Sequence, residues 1–414
     1  MQLVKRFMLL LLGLAKSLLF VVKHLVTARK AQVIFYYPRH FNRTARGTNP
    51  FFDRLIDACR EAGLSVLTLE GGQSRKEHRR NREALPIDIL LGVMYVVERV
   101  FLRHRFKRLE DRDQHLGCME AGRIINVLTF GKFRAPVYIT ISNAMVAFFK
   151  GMNPTAAIVD VQHGIIHPTH PGYFEPDKNM RPSLMASNLS FFVMGEGFRQ
   201  CFMQTAGNRA MLSGRVHVIG DVMKSDQTKS SEPRQGRAIL FSLQFTCELK
   251  GTQPESMRRR IYNLAEECRP LAERLGVVLR FKLRPNDPPP NELAGIERQF
   301  PFVEFSAGSM AQACEGVFYH VTFYSTVAFD VARWGIPTYF LTTSDIPHGT
   351  MFHNEYDYPV QRGNFSEVMT EALTDARRYD EIKAQVILWR GRFYAPFDGD
   401  RVVALVRDYI EKGI

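Results

Sequence analysis

The chain has 414 residues, of which 45% are hydrophobic and 23% are charged, so it predicts two packed lobes and excludes both a disordered chain and a coiled coil. Its six cysteines show no C-x-x-C spacing, which excludes a zinc ribbon and a disulfide scaffold and favours a reducing compartment. The net charge of +13 would ordinarily suggest a nucleic acid as the partner, but the positive charge is concentrated in one apolar segment, which makes nucleic-acid binding the weakest interpretation.

That segment is the amino terminus. Nine basic residues precede Asp53, which is the first acidic residue of the chain. Four of the lysines in residues 1–30 fall within about 20° of one another on a helical wheel, and most other positions are Leu, Val or Phe. We therefore predict an amphipathic helix over residues 1–30 that lies in the membrane interface, with its lysines among anionic headgroups.

Three other interpretations of this segment fit less well. A cleaved signal peptide would need a cleavage site of small residues, which is not found. A spanning helix would bury Lys16 near the middle of the membrane, and the longest uncharged stretch, Phe7–Ala15, is too short to cross a bilayer. A soluble core helix would have to bury the lysine stripe.

A β-α pattern begins after this helix. Residues 31–37 have the composition of a strand, the Asn-Pro pair at 49–50 can begin a helix, and residues 65–69 have the composition of the next strand. Strand, helix and strand in this order form a βαβ unit. Basic residues then cluster in 75–82 and 103–108, either as a solvated face or as a surface for anionic lipid or a phosphorylated acceptor. Two later strands of the same lobe are predicted at Val137–Ile141 and Ala157–Val161.

The polar stretch Lys224–Arg237 has the composition of a linker, and the β-α pattern restarts after it with a helix predicted over Glu255–Leu275. The strands of the second lobe are predicted at Ala238–Leu243, Val277–Leu283, Phe302–Phe305, Gly316–His320 and Thr338–Leu341. The predicted domains are the membrane-associating helix 1–30, the first lobe 31–223, the linker 224–237, the second lobe 238–390 and a C-terminal helix 391–414 that we expect to pack back on the first lobe.

The first loop with candidate chemistry follows the strand Ala157–Val161. A strand end is where an open α/β sheet presents reactive groups, so His163, or Asp160 as second choice, could accept the proton of an attacking hydroxyl. The three histidines of this loop match no zinc spacing, so no metal is predicted, and the alternative is that they only shape the loop. The further candidates would contact the molecule that carries this hydroxyl or would shape the loop. They are Gln162, Gly164, His167, His170 and Tyr173 of this loop, with Arg43 and Arg46 of the basic amino terminus.

The other two loops lie in the second lobe. Lys282 and Arg284 alternate at a strand end and should project from one face, where Arg284 is the better phosphate clamp. Ser325 and Thr326 begin a helix after another strand, where hydroxyls and backbone N–H groups can hold a phosphate, and Asp330 could reach ribose hydroxyls about a turn later. The alternatives are an ordinary strand with a solvated basic face and a plain capped helix.

These residues carry a resemblance to a known family. The order Ser325, Thr326, Asp330, Gly335 and Pro337 resembles the donor-nucleotide domain of GT-B glycosyltransferases, with Asp where Glu is commoner. The loop DVQHGIIHPTHPGY resembles the QHG loop of bacterial capsule and lipopolysaccharide glycosyltransferases, and LFSLQ, which ends at Gln244, resembles the opening of their second lobe. The resemblance covers about residues 155–345.

The resemblance implies an α/β protein of GT-B architecture, with two Rossmann-like, doubly wound lobes that face each other across a cleft. It further implies a metal-independent transferase without cofactor, whose substrates are a nucleotide sugar and a lipid-linked glycan of a bacterial surface polysaccharide, at the cytoplasmic face of the inner membrane. The donor would contact Gln244, Lys282, Arg284, Ser325, Thr326 and Asp330. A CMP-sugar is the less favoured donor, because relatives that use one carry His-Pro where this chain has Arg284-Pro285, and arginine cannot protonate a leaving group at neutral pH.

Two alternatives from other classes remain at this point. A sugar-nucleotide 2-epimerase has a similar two-lobed fold, but it needs no membrane helix and no acceptor. A non-catalytic, membrane-bound scaffold of a polysaccharide assembly complex would keep the basic helix and lose the nucleotide site, which the Ser325, Thr326 and Asp330 set argues against.

Overall fold

The computed structural model describes residues 17–27, 30–42, 44, 47–71, 81–105, 111–168, 170–223, 236–242, 254–283, 293–323, 325–341, 351–359 and 363–412. The chain forms two compact units. Unit 1 comprises Met1–Ser225 and Tyr394–Ile414, and unit 2 comprises Asp226–Phe393. Most of the predicted linker, residues 224–235, lies outside the described residues.

Unit 1 is built on a seven-stranded parallel sheet. Its strands are β1 (Val33–Pro38), β2 (Val66–Gly71), β3 (Leu85–Pro86), β4 (Val137–Ile141), β5 (Ala157–Val161), β6 (Ser190–Val193) and β7 (Val216–Val218). Their order in the sheet is β3-β2-β1-β4-β5-β6-β7, so the winding direction reverses between β1 and β4. This is a doubly wound sheet, in which ligands bind at the carboxyl ends of the strands, beside the reversal.

The helices of unit 1 cover both faces of this sheet, which is why β4, β5 and β6 are buried along their whole length. Before the last segment of the chain they are α1 (17–27), α2 (Asp53–Glu61), α3 (Asp88–Arg105), α4 (Asp111–Leu128), α5 (Val146–Met152), α6 (Pro182–Ala186), α7 (Glu196–Phe202) and α8 (Ala206–Leu212). A short 3-10 helix, Arg39–Phe41, follows β1. In the part of the chain that is described, no helix has both the length and the hydropathy that crossing a bilayer requires.

Unit 2 is built on a five-stranded parallel sheet in the order β10-β9-β8-β11-β12. These strands are β8 (Ala238–Ser242), β9 (Val278–Lys282), β10 (Val303–Ser306), β11 (Val317–Thr322) and β12 (Thr338–Phe340). The helices are α9 (Pro254–Leu275), α10 (Ile296–Gln299), α11 (Met310–Ala313), α12 (Val327–Val331), α13 (Met351–Tyr356), α14 (Phe365–Thr374) and α15 (Ala376–Phe393). On one face, Trp389 of α15 stacks on Phe329 of α12 with 4.6 Å between ring centroids, so the last helix of the unit secures α12.

The end of the chain returns to unit 1. Its last helix, α16 (Gly399–Lys412), packs against α2. The segment before α16 is joined to the loop after β7 by a hydrogen bond from the Asp221 N–H to the Ala395 carbonyl, 2.8 Å long. Gly220 is required there, because its backbone is left-handed and an added Cβ would lie 2.0 Å from the carbonyl oxygen of Pro396.

The predicted fold class is confirmed: both units are α/β with parallel, doubly wound sheets. The strands predicted at 137–141 and 157–161 have the predicted bounds, and the other predicted strands differ from the observed ones by a few residues at their ends. Three strands of unit 1, β3, β6 and β7, were not predicted from the sequence, because they are short: two, four and three residues.

Candidate functional site

The candidate loop of unit 1 begins with Asp160 near the carboxyl end of β5. Its carboxylate is buried, 1% exposed, and accepts hydrogen bonds from the Asn143 N–H to Oδ1 and from the Tyr173 hydroxyl to Oδ2, both 2.8 Å long. Burial raises the pKa of Asp160 to about 7, against the opposing effect of these two hydrogen bonds. Both carboxylate oxygens are thus engaged with the protein, and Asp160 joins the end of β5 to the loop after β4 and to the loop that ends at Tyr173.

Gln162 has a similar supporting arrangement. Its side-chain amide is buried, donates to the Gly164 carbonyl at 2.7 Å and accepts from the Met194 N–H at 2.8 Å. It therefore fixes the turn after β5 to the residue that follows β6. Gly164 itself is exposed, with no atom within 4 Å of the position that a Cβ would take.

His163 directly follows Gln162 and is only partly buried. Its ring makes edge-to-face contacts with Phe41 and Phe51, at centroid distances of 5.3 and 6.4 Å. These aromatic residues flank the loop between β1 and α2, so His163 stands where the carboxyl ends of β1 and β5 open. Arg43 and Arg46 belong to the same loop and lie outside the described residues.

The two later histidines contact each other. The rings of His167 and His170 are 5.3 Å apart, and His170 also packs on Tyr173 at 5.1 Å. Burial lowers the pKa of His170, and its Nδ1 accepts a hydrogen bond from the Gly172 N–H at 3.1 Å, so the neutral ring carries its proton on Nε2. Within the described ranges, no three His, Cys, Asp or Glu side chains are grouped so that they could hold a metal ion.

The loop between β4 and α5 was not identified from the sequence. Ser142, Asn143 and Met145 have left-handed backbones, with φ values of 61°, 53° and 63°. Such conformations are costly for residues other than glycine and persist where the surroundings impose them. Here Asn143 binds Asp160 through its N–H and the Gly172 carbonyl through Nδ2, the latter at 2.9 Å. The sequence offers one sign of this left-handed backbone, which is that asparagine adopts it more readily than most residues.

A cavity of about 270 Å³ lies beside this loop in unit 1. Its lining includes Asn143, Met145 and Gly172, so the strained loop forms one of its walls. His115 and Ser187 form part of the remainder, and burial lowers the pKa of His115. The carboxyl edge of this sheet therefore contains both the loop at His163 and a small open cavity.

In unit 2 a buried polar row crosses the sheet near its carboxyl edge. Ser242 of β8 is hydrogen-bonded to His320 Nε2 at 2.8 Å, and His320 Nδ1 is hydrogen-bonded to the Thr338 hydroxyl at 2.9 Å. Burial lowers the pKa of His320 to about 3, so the ring is neutral at physiological pH. This row joins β8, β11 and β12 and supports the edge without reaching solvent.

The side chain of Lys282 is also largely buried at this edge. The strand register pairs Lys282 with Ser242 on one side and with Ser306 on the other. Its ammonium group donates to the Leu283 carbonyl, and burial lowers its pKa. The Cys314 thiol lies within electrostatic range of both Lys282 and Asp330. The two other candidates on these strand ends, Gln244 and Arg284, lie outside the described residues.

The Ser-Thr pair follows β11 as predicted. The Thr322 hydroxyl accepts from the Ser325 N–H at 3.2 Å, and the Ser325 hydroxyl accepts from the Val327 N–H at 3.3 Å. Thr326 begins α12, is exposed, and its side chain does not cap the helix. Asp330 is exposed on α12, a turn later. Ser325 is half-buried, so the loop presents hydroxyl and carboxylate groups toward solvent at the carboxyl edge of the sheet.

The segment after Asp330 also follows the predicted order. A 3-10 helix, Ala332–Trp334, continues α12, and Gly335 ends it with a left-handed backbone, φ 70°. Pro337 accepts a hydrogen bond from the His320 N–H through its carbonyl, 2.8 Å long, directly before β12. Because only a few residues connect α12 to β12, α12 must lie close to the carboxyl end of β11.

This chain has similar solved structures although no similar sequence was found. No protein-family model matches it, and no curated protein sequence is significantly similar. Its structure is similar to the UDP-GlcNAc 2-epimerase of Neisseria meningitidis bound to UDP-GlcNAc, at 9% identity and a TM-score of 0.51, over 92% of this chain and 99% of that one. It is also similar to S. aureus MnaA in a co-structure with UDP, at 10% identity and a TM-score of 0.50, over 92% and 97% of the two chains. These similarities show a shared two-unit, GT-B-like fold.

Proposed function

We propose that the protein is an enzyme that acts on a nucleotide sugar, and that unit 2 binds the nucleotide. The observation that carries the proposal is the loop after β11. It presents Ser325, Thr326 and Asp330 at the carboxyl edge of a doubly wound sheet, with two of the three exposed. Hydroxyls at this edge suit phosphate oxygens, and an exposed carboxylate one turn away suits ribose hydroxyls. The similar Neisseria enzyme is bound to UDP-GlcNAc, which supports the same class of ligand here.

Within this class we propose a glycosyltransferase. His163 is a histidine at a strand end whose ring is partly exposed, as a general base requires. It would take the proton of the acceptor hydroxyl while that oxygen forms a bond to the anomeric carbon and the nucleotide departs with the bonding electron pair. Arg284, Ser325 and Thr326 would stabilise the negative charge on the departing phosphate. Asp160, whose oxygens are engaged with Asn143 and Tyr173, would position the loop.

The acceptor in this proposal is a lipid-linked glycan of a bacterial surface polysaccharide, such as capsule or lipopolysaccharide, at the cytoplasmic face of the inner membrane. The basic, apolar amino terminus supports a membrane-associated enzyme, because a lipid-linked acceptor is confined to the bilayer surface. The proposed reaction needs no resident cofactor, since the nucleotide sugar is a substrate.

A sugar-nucleotide 2-epimerase is the second candidate, and a specific observation favours it: the similar structures with TM-scores of 0.50 and 0.51 include a UDP-GlcNAc 2-epimerase. The two candidates differ in stoichiometry. An epimerase converts its nucleotide sugar without a second substrate and releases no nucleotide in a completed turnover. A transferase releases one nucleotide for each sugar that it moves to an acceptor.

Nucleotide binding is tested first, with the full chain in a thermal-shift panel of CMP, CDP, UDP and GDP without added metal. A nucleotide at 100 times its Kd should raise the free energy of unfolding by about 2.7 kcal/mol. We expect one nucleotide to stabilise the protein, and the stabilisation to fall to about 1.4 kcal/mol at the same nucleotide concentration when Ser325→Ala is combined with Thr326→Ala, because that pair should weaken binding about tenfold. No shift with any nucleotide or its sugar conjugate would overturn the proposal and favour the scaffold.

The reaction class is then tested with the sugar conjugate of the nucleotide that binds. NMR of the sugar without an acceptor shows whether a second epimer forms, and an assay of free nucleotide with a membrane extract shows whether transfer depends on an acceptor. Acceptor-dependent nucleotide release is the result expected. An epimer that forms without any acceptor would replace the transferase by the epimerase.

A further inference from the structure

Helix α1 is attached to unit 1 at both of its ends. The Ser17 hydroxyl donates to the Pro86 carbonyl at 2.9 Å and accepts from the Ile89 N–H at 3.1 Å, where α3 begins. Near the other end, the His24 ring stacks on Phe133 with 4.9 Å between centroids. The part of α1 that faces away from unit 1 is therefore held in a defined orientation.

That outward side is apolar. Seven residues of α1 are exposed, and five of them are large hydrophobic side chains, whereas a surface helix normally turns polar residues to water. These five, with their exposed fractions, are Leu18 (49%), Leu19 (70%), Phe20 (46%), Val22 (48%) and Val26 (78%). The other two are Lys23 and Thr27. Exposed apolar side chains that are grouped in this way mark a binding face.

A second group of exposed hydrophobic residues lies at the end of α4. Val127, Leu128 and Phe130 are 73%, 57% and 84% exposed. Phe130 also has a left-handed backbone, φ 51°, which is rare for a bulky residue and is usually taken by glycine at a helix end. Together these three side chains present a group of apolar surface to the surroundings, which is the arrangement that marks a binding site.

The two groups are neighbours on unit 1. Lys132, two residues after Phe130, lies within electrostatic range of His24 and lowers its pKa together with burial, and Phe133 is the stacking partner of that ring. The turn after α4 therefore adjoins the carboxyl-terminal part of α1. We call the exposed residues Leu18, Leu19, Phe20, Val22, Val26, Val127, Leu128 and Phe130 the apolar face.

The two chain segments that carry the apolar face are basic. No acidic residue occurs in residues 1–52 or in residues 121–159. The described cations of these segments include Lys23, Lys132 and Arg134. Residues 1–16, which precede α1 directly, are rich in leucine and contain two lysines and one arginine. Cations around hydrophobic side chains suit the surface of an anionic bilayer, where headgroups meet acyl chains.

We propose that the apolar face inserts into the interface of an anionic lipid bilayer. Unit 1 itself would then contact the membrane, in addition to the basic amino-terminal segment. This inference deepens the proposed membrane association and rests on it. The occupant is a lipid surface and not a second copy of the chain, because both segments that carry the face are basic and two such faces would bring cations against cations.

The test is flotation of the full chain with vesicles of phosphatidylcholine alone and with 30% phosphatidylglycerol. We expect binding to the anionic vesicles, and a partition coefficient about 10–100 times lower for each of Leu19→Ser and Phe130→Asn, since each removes one large side chain from the interface. Asparagine tolerates the left-handed backbone at position 130, so the second variant should fold at least as well as the wild type. Leu388→Ser is the matched control, because Leu388 is 74% exposed on α15 of unit 2.

Each outcome is decisive. If the wild type floats and both variants float as well as Leu388→Ser, another segment binds the membrane and the inference is wrong while membrane association stands. If the wild type binds no vesicle, the insertion of the apolar face and the membrane association are both wrong. The thermal shift of the same preparation with nucleotides still tests the enzyme proposal separately. If light scattering shows a dimer that Leu19→Ser dissociates, the face joins two copies and the lipid assignment is overturned.

Discussion

Two of the three strand-end loops that were predicted as functional, one in each unit, differ in what their polar residues contact. In unit 1, Asp160 and Gln162 are buried and both are fully engaged with backbone and side-chain partners of the same unit. In unit 2, Thr326 and Asp330 are exposed and lie in the loop and helix after β11. A polar residue at a strand end can thus support a loop or contact a ligand, and burial separates these roles. His163 of unit 1 is partly exposed, in contrast to Asp160 and Gln162, so we expect it to be accessible to a substrate.

The largest effect is expected at His163. His163→Ala should lower turnover by about 10²–10⁴-fold, because general-base catalysis contributes about that factor. The thermal unfolding midpoint should change little, since the ring is partly exposed and packs edge-to-face on Phe41 and Phe51 at the rim of the loop rather than in the core. Steady-state assays of the folded variant check this. Turnover equal to the wild type would show that unit 1 supplies no base from this loop.

The next largest effect concerns Asp160 and the pH dependence of the free energy of unfolding. Because its folded-state pKa is raised from the usual 3.8 to about 7, the folded protein holds a proton that the unfolded chain has released. Its contribution to stability is complete below pH 3.8 and is lost as the pH rises through 7. Between pH 5 and pH 8 the wild type should lose about 2–3 kcal/mol through this group, and Asp160→Asn should remove that loss.

Denaturant titrations at pH 5 and pH 8 measure this difference. Asp177→Asn is a suitable control, because Asp177 is exposed, hydrogen bonds from Asn179 lower its pKa, and it is ionised in both states throughout this range. If Asp160→Asn and Asp177→Asn show the same pH dependence as the wild type, Asp160 is ionised in the folded protein and the contrast between the two loops is weaker than the burial indicates.

Part of this contrast could be predicted from the sequence. Buried parallel strands are continuous apolar runs between turns, so Val137–Ile141 and Ala157–Val161 were predicted with the bounds that they have. The order of Ser325, Thr326, Asp330 and Gly335 predicted a strand, a helix start and a helix end, because each of these residues acts locally. Helix ends and turns follow from neighbours in the chain.

The rest depends on residues that are distant in sequence. Whether Asp160 faces solvent is decided by Asn143 and Tyr173, which lie 17 and 13 residues away. The left-handed backbone of Asn143 has the same origin, since its N–H and side chain are held by Asp160 and by the Gly172 carbonyl. A single sequence contains no periodicity that reports such contacts, so supporting and ligand-facing residues look alike in it.

A smaller effect is expected at the helix start of unit 2. Combining Ser325→Ala with Thr326→Ala should weaken nucleotide binding about tenfold, since two hydrogen bonds to phosphate at about 0.5–1.5 kcal/mol each are removed. Isothermal titration with the nucleotide that stabilises the protein measures this change. Thr374→Ala is the control, because its exposed hydroxyl donates only to the Thr370 carbonyl at the end of α14. Equal affinities of all three proteins would remove the phosphate site from this loop.

The smallest effect, and the most specific, is expected for Asp330→Asn. Asparagine keeps an acceptor for a ribose hydroxyl and loses the charge, so the affinity for the ribonucleotide should fall about fivefold, which corresponds to about 1 kcal/mol. The 2′-deoxy and 3′-deoxy forms of the same nucleotide sharpen the test. If Asp330 binds one of these hydroxyls, the wild type should discriminate against the form that lacks it, and the variant should discriminate less. Undiminished discrimination in Asp330→Asn would place the ribose contact elsewhere on unit 2 and leave Asp330 as a solvated residue of α12, as exposed as Thr326 but without a ligand.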